Sequence, residues 1–172
     1  YDADVIRINS QSGKGGIGFL LEQNYGYSLP PKMREDLGYR VKSVSDHGHK
    51  ELSVREVCDV FEQTYINRCT PLSVPEAHFT VRNNVFCAVV TVEMKGNSRE
   101  VTSQGNGRLD AVCNAIHDAT GLEFTLESYS EHSLDEGSTS RACSYVGIRW
   151  PDGSMSWGAG THTDIIMAGT RA

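Results

Sequence analysis

Val89-Val90-Thr91-Val92-Glu93-Met94, the turn Lys95-Gly96-Asn97-Ser98, the return Arg99 to Ser103, and then Gln104-Gly105-Asn106-Gly107-Arg108-Leu109-Asp110-Ala111 on to Ala119 form the stretch that decides the fold. Val89 to Met94 alternates as a strand with one buried face. Lys95 to Ser98 has the composition of a hairpin turn, so Arg99 to Ser103 returns as the partner strand. Beyond the glycines, Leu109, Val112, Cys113, Ile116 and Ala119 recur at three- and four-residue steps, the spacing of an amphipathic helix. Gly105 and Gly107 allow close approach of the backbone, and the helix start behind them offers N–H groups without helical partners. Such a start suits a carboxylate or phosphate.

The same order of signals returns near the end of the chain. Met94–Ala111 moved forward by 54 residues falls on Ile148–Ile165. A strand ends at Ile148-Arg149-Trp150, the turn is Pro151-Asp152-Gly153-Ser154, and Met155-Ser156-Trp157 returns. Gly158-Ala159-Gly160 then reads as a turn into a helix through Thr161-His162-Thr163-Asp164-Ile165, and Asp110 coincides with Asp164. Self-similarity of this kind fixes architecture. Two copies are too few for a solenoid and point to a pseudo-twofold domain of two strand–strand–helix units.

Working outward, Leu122 to Tyr129 alternates strongly and opens the second unit, a polar loop runs from Glu131 to Ser140, and Arg141 to Arg149 is the next strand. His78 to Arg82, the turn Asn83-Asn84 and the strand from Val85 to Met94 complete the first. The order is βββα-βββα, an α+β arrangement. The earlier part of the chain is mostly helical. Val5 to Asn9 alternates as a strand, Ser10 to Gly16 reads as a flexible glycine-lysine loop, and Ile17 to Glu22 as strand or early helix. Pro31 suits a first helical turn, and a helix follows to about Ser45 with Met33, Leu37, Val41 and Val44 as its apolar positions, ended by the loop Asp46 to Lys50. Ser53-Val54-Arg55-Glu56 is a capping box before Val57, Cys58, Val60, Phe61, Tyr65 and Ile66. Asn67 to Pro75 reads as a linker. The expected division is a connecting subdomain, 1–71, and a β-rich domain, 72–172.

The chain has 172 residues, 38% hydrophobic and 22% charged, enough for a packed core. A net charge of −6 argues against nucleic acid or an anionic membrane as partner, and no apolar run approaches the roughly 20 residues of a spanning helix. Five cysteines, Cys58, Cys69, Cys87, Cys113 and Cys143, without C-x-x-C spacing, fit reduced thiols in a cytoplasmic protein. A start at Tyr1 reads as a piece of a longer polypeptide.

Catalytic signatures are missing. The glycine-lysine loop lacks the P-loop spacing, there is no H-E-x-x-H or G-x-S-x-G, and the His47/His49 pair, His117, His132 and His162 have no spaced metal-ligand partners. The repeated glycine turns carry the functional reading instead. Helix-start N–H groups would bind a carboxylate, an aspartate or carbonyl an ammonium, and apolar residues a side chain. Two such starts facing each other across a pseudo-dyad or a dimer interface would make an amino-acid site. The plainer readings are that glycine lets a strand turn into a helix, and that Asp110 and Asp164 complement a helix dipole.

Ile8-Asn9-Ser10-Gln11-Ser12-Gly13-Lys14-Gly15-Gly16, Tyr27-Ser28-Leu29-Pro30, Gly105-Asn106-Gly107-Arg108-Leu109-Asp110-Ala111, and Trp157-Gly158 through Asp164-Ile165 together resemble the C-terminal half of the 2-isopropylmalate synthase family. Relatives often carry Pro after G-N-G where this chain has Arg108. The resemblance implies a parent that joins acetyl-CoA to 2-oxoisovalerate in leucine synthesis. Its catalytic groups and divalent metal would lie in an N-terminal TIM barrel, with no catalytic residue, metal or other cofactor in this chain. It implies a homodimer that binds L-leucine at the interface as a feedback inhibitor. Carried over by motif, the effector residues are Gly105, Asn106, Gly107, Leu109, Asp110 and Ala111, with Tyr129, Ala142, Asp164, Ile165 and Ala168. Two alternatives stand beside it: an isoleucine-binding domain of the citramalate synthase type, and a purely structural dimerisation module.

Overall fold

The computed structural model describes residues 7–8, 14–48, 51–67, 72–134 and 141–162. The chain divides into two compact units, Tyr1–Ile66 and Asn67–Ala172.

The first unit is built on three helices, α1 (Lys14–Tyr25), α2 (Pro31–Gly48) and α3 (Val54–Tyr65), with the short antiparallel pair β1 (Arg7–Ile8) and β2 (Leu52–Ser53). Lys14 to Gly16 are helical, not loop, and Ile17 to Glu22 continue that helix. Gly18 explains part of this glycine-rich choice. A Cβ there would lie 2.3 Å from Arg34 Cδ, so the small residue lets α1 lie against the Arg34 side chain of α2. Helix α2 runs to Gly48, past the expected loop start. Its buried line is Met33, Leu37, Val41 and Ser45, a four-residue step that leaves Val44 exposed. The capping box forms as expected. Ser53 Oγ accepts from Glu56 N–H, and Glu56 Oε1 accepts from Ser53 N–H, both at 3.2 Å. Phe61 of α3 packs between Tyr27 (4.7 Å between centroids) and Tyr65 (5.7 Å). The Tyr65 hydroxyl donates to the Asp36 carboxylate, which also pairs with Arg40.

The second unit holds two three-stranded antiparallel meanders. The first is β3 (Leu72–Arg82), β4 (Val85–Met94) and β5 (Asn97–Gly105), followed by α4 (Arg108–Thr120). Its turns are two residues long, Asn83-Asn84 and Lys95-Gly96, and all four residues have positive φ, the geometry that matches strand twist in tight hairpins. Pro75 sits where the β3–β4 register shifts between Ser73 and Glu76, a place that needs no ladder N–H. Ala88, Val90 and Val92 alternate inward on β4 and meet Ala111, Val112 and Ala115 of α4, with Val74 from β3. This is the expected strand–strand–helix core, and the α+β class follows from it.

The second meander is β6 (Thr125–Ser133), β7 (Ala142–Arg149) and β8 (Met155–His162). Here the sequence reading needs correction. Residues 131–133 belong to β6, not to a loop. Gly158-Ala159-Gly160 is not a turn into a helix; it lies inside β8, paired with Val146, Tyr145 and Ser144. Thr161 and His162 are strand as well. Two physical reasons account for this. The β7–β8 loop is Trp150 to Ser154, five residues against two in the first copy, so a constant 54-residue shift loses register after the turn. That longer loop is stabilised by Asp152, whose Oδ1 accepts from Ser154 N–H (2.9 Å) and Oγ (2.6 Å), and by Gly153 at φ 87°. The far end of β8 is also held by Asn67, so pairing outlasts the glycines. The second expected helix from Thr163 onward, with Asp164, lies outside the described residues.

Candidate functional site

The start of α4 is assembled by a division of labour between its glycines. Gly105 ends β5 opposite Phe86. A Cβ there would lie 2.5 Å from the Ala111 backbone nitrogen and 2.6 Å from Asp110 Oδ2, so the strand end can approach the helix only without a side chain. Asp110 Oδ2 accepts from Asn106 N–H at 2.8 Å and closes the turn. Gly107 is different. It is the N-cap, with extended φ −156° and ψ 175°, and its missing side chain faces open space. No side chain caps the helix, and the first backbone bond is Ala111 N–H to Gly107 O at 3.0 Å. The N–H groups of the first turn therefore face outward with the positive end of the helix dipole behind them, a geometry suited to an anion. Arg108 occupies the first helical position, with its guanidinium 5.7 Å from the Phe86 ring centroid. Leu109 is half-buried and Ala111 fully buried in the core. Cys113, one turn on, is a half-buried thiol pushed up to about 11 by burial and the nearby Asp110 charge.

Tyr129 and Ala142 lie on the second meander. One face of its central strand carries Ala142, Ser144 and Val146, with Glu131 and Tyr129 opposite on β6 and Gly160 and Gly158 opposite on β8. Tyr129 is 38% exposed, and its hydroxyl donates to the Glu131 carboxylate. Burial and that carboxylate hold its pKa above the usual phenol value. Ser144 is fully buried, and its Oγ has no aligned hydrogen-bond partner among the described residues, although it stands beside the Tyr129 phenol. The opposite face carries the buried Cys143 and Tyr145, and the Tyr145 hydroxyl lies 2.7 Å from His132 Nε2.

The expected residues thus form two clusters, Gly105 to Ala111 at the helix start and Tyr129 with Ala142 on the second sheet. Asp164, Ile165 and Ala168 lie outside the described residues. Ser144 and Glu131 escaped the sequence reading. Their signal was the alternation of β6 and β7, which puts both on the Tyr129 face. Sequence reasoning also missed an open cleft of about 560 Å³ at the other end of α4, lined by His117, Leu122, Phe124, Arg149 and Trp150 among others. Its floor is an aromatic run, His117 to Phe124 at 4.2 Å and Phe124 to Trp150 at 6.1 Å. Among the described residues, no group of three His, Cys, Asp or Glu side chains is placed to hold a metal ion, and no helix is long and apolar enough to cross a membrane.

Comparison with known proteins adds the family. The family described as LeuA allosteric (dimerisation) domain matches residues 51–172. The whole chain is similar to the 2-isopropylmalate synthase of Desulfitobacterium hafniense (strain Y51), 49% identical over 172 residues, which are 31% of that protein. The 2-isopropylmalate synthase of Helicobacter hepaticus is 46% identical over 98% of this chain and 31% of its own length. That of Schizosaccharomyces pombe is 36% identical over 99% of this chain and 30% of its own. The chain spans about a third of the length of these curated relatives. With the family match covering well over half of the chain and the strand–strand–helix unit in place at its centre, this chain belongs to the LeuA allosteric (dimerisation) domain family.

Proposed function

We propose that this chain is the C-terminal regulatory part of a 2-isopropylmalate synthase and binds L-leucine where two copies meet. Residues 1–71 serve as the connecting subdomain and 72–172 as the allosteric domain. The parent enzyme condenses acetyl-CoA with 2-oxoisovalerate in a separate barrel, which supplies the divalent metal and the catalytic groups. The single observation that carries this reading is the family match over residues 51–172, within relatives named as that synthase along the whole chain.

The geometry supports a division of the ligand. The uncapped first turn of α4 beyond Gly107 receives the carboxylate. The second cluster, around Tyr129 and Ala142, receives the remainder, and a dimer interface brings clusters from two copies together. Leucine then favours one arrangement of the dimer over another, and a coupling of about 1–3 kcal/mol to the barrel is the usual size for such control.

Isothermal titration of the chain with leucine and isoleucine tests this. The expected result is saturable leucine binding with a raised thermal midpoint. Absence of both heat and thermal shift at millimolar leucine contradicts it. Tighter isoleucine binding points to the citramalate-type effector. A Gly107→Trp variant that weakens dimerisation, in a protein that never binds either amino acid, points to a structural module.

A further inference from the structure

A buried hydroxyl without a hydrogen bond is a cost to the folded state, and native proteins rarely retain one. Ser144 is such a group. It is fully buried at the centre of β7, and its Oγ is the buried side-chain atom left without a partner among the described residues. Alanine at this place would keep the strand and lose nothing that the fold uses.

The surroundings indicate what completes it. Glu131 lies directly opposite on β6, and Gly160 directly opposite on β8, so one side of Ser144 presents a carboxylate and the other only backbone. Tyr129, two residues before Glu131 on the same face, donates its hydroxyl to that carboxylate and stands beside Ser144. Tyr129 gives its hydroxyl proton to Glu131, and no aligned bond joins it to Ser144. That leaves the Ser144 lone pairs as acceptors and Glu131 as the negative charge behind them. A group that brings several N–H donors and a positive charge matches this set, whereas a carboxylate would meet Glu131 and be repelled. At the α4 start, the Asp110 oxygen nearest the turn is already taken by Asn106 N–H.

We propose that Ser144, backed by Glu131 and Tyr129, is the ammonium-recognition group of the effector site. This rests on the amino-acid-binding reading above and names the part of the ligand this face reads. Tyr129, the solvent-facing member, moves to admit the ligand, and the ammonium supplies the hydrogen bond that Ser144 lacks in the free protein. The free state is kept slightly less stable than it could be, and binding relieves that.

The test compares Ser144→Ala and Glu131→Gln with the unmodified chain, using leucine and 4-methylpentanoate, which is leucine without its ammonium. Thermal midpoints of the ligand-free proteins are measured alongside. The expected result is that S144A melts at or above the parent temperature and binds leucine about ten- to a hundred-fold more weakly, the usual scale for a lost hydrogen bond to a charged group. Its affinity for 4-methylpentanoate stays the same. E131Q shifts leucine in the same direction. The proposal is overturned if S144A keeps its leucine affinity, loses affinity for both ligands alike, or melts lower. The last outcome makes the hydroxyl a structural partner. If the unmodified chain binds neither ligand, the amino-acid-binding reading fails and this inference falls with it. If it binds leucine and S144A binds equally well, only this inference fails.

Discussion

Asn67 acts as a strand partner for Thr161. Its Oδ1 accepts from Thr161 N–H at 3.0 Å, its Nδ2 donates to Thr161 Oγ1 at 3.2 Å, and its own N–H donates to Ala159 O at 2.9 Å. One residue at the start of the second unit thereby pairs with the edge of β8 at Ala159 and Thr161, the latter 94 positions along the chain. Asn67 also has φ 45°, a left-handed conformation that asparagine tolerates better than most side chains.

Asn67→Ala is therefore expected to lose those side-chain bonds and to pay the left-handed strain, about 2–3 kcal/mol together. Denaturant unfolding measures the loss, and amide exchange at Thr161 locates it. Asn67→Gly relieves the strain while losing the same bonds, so it falls between the two. An unchanged Thr161 exchange rate in Asn67→Ala contradicts the edge-partner role.

The two glycines at the α4 start separate cleanly. Gly105→Ala forces a Cβ against the Ala111 backbone and is expected to destabilise by about 1–3 kcal/mol, as overpacked sites do. Gly107→Ser places a side chain in open space at an N-cap with suitable extended geometry. It is expected to stabilise α4 by a few tenths of a kcal/mol and to weaken leucine binding, because the new hydroxyl takes an N–H of the first turn. A thermal melt and a leucine titration of each variant check both parts.

Alkaline stability carries a prediction from the first unit. Burial, helped by the Glu62 carboxylate, pushes the Cys58 thiol up from 9.0 to about 12. The folded form thus holds its proton over a range where the unfolded chain gives it up. This contribution is whole below about pH 9 and is lost as pH rises toward about 12. The buried Tyr65 phenol, raised by its desolvation and by Asp36, adds in the same direction. Urea midpoints measured upward from neutral pH should fall through that window, and Cys58→Val should make the fall shallower.

What the sequence conveyed was local and periodic. The Val89–Met94 alternation and the capping box at Ser53 depend on neighbours a few residues apart, and both appear in the structure. The α4 helix appears too, but its buried line is Ala111, Val112 and Ala115, with Ile116 and Ala119 only partly buried beside it. Errors arose where distance decided. The Gly158–Gly160 run looks like a turn because its composition matches Gly105–Gly107, but register with β7 and the grip of Asn67 make it strand. Lys14 to Gly16 look flexible, yet they open helix α1, which lies against the Arg34 side chain of α2 at Gly18. At the candidate site, the glycine turn was visible and its internal division was not, since the role of Gly105 depends on a contact with Ala111 made only after folding. Ser144 was invisible because its significance lies in a bond it does not make.

The central claim is that the first turn of α4 holds the effector's carboxylate, and the most direct measurement is an NMR titration of backbone amides with leucine. The account predicts large, saturable shifts at Arg108, Leu109 and Asp110 with the same midpoint as the calorimetric binding curve, and their loss in Gly107→Ser. Leucine binding that leaves those amides unmoved while shifting others would contradict it.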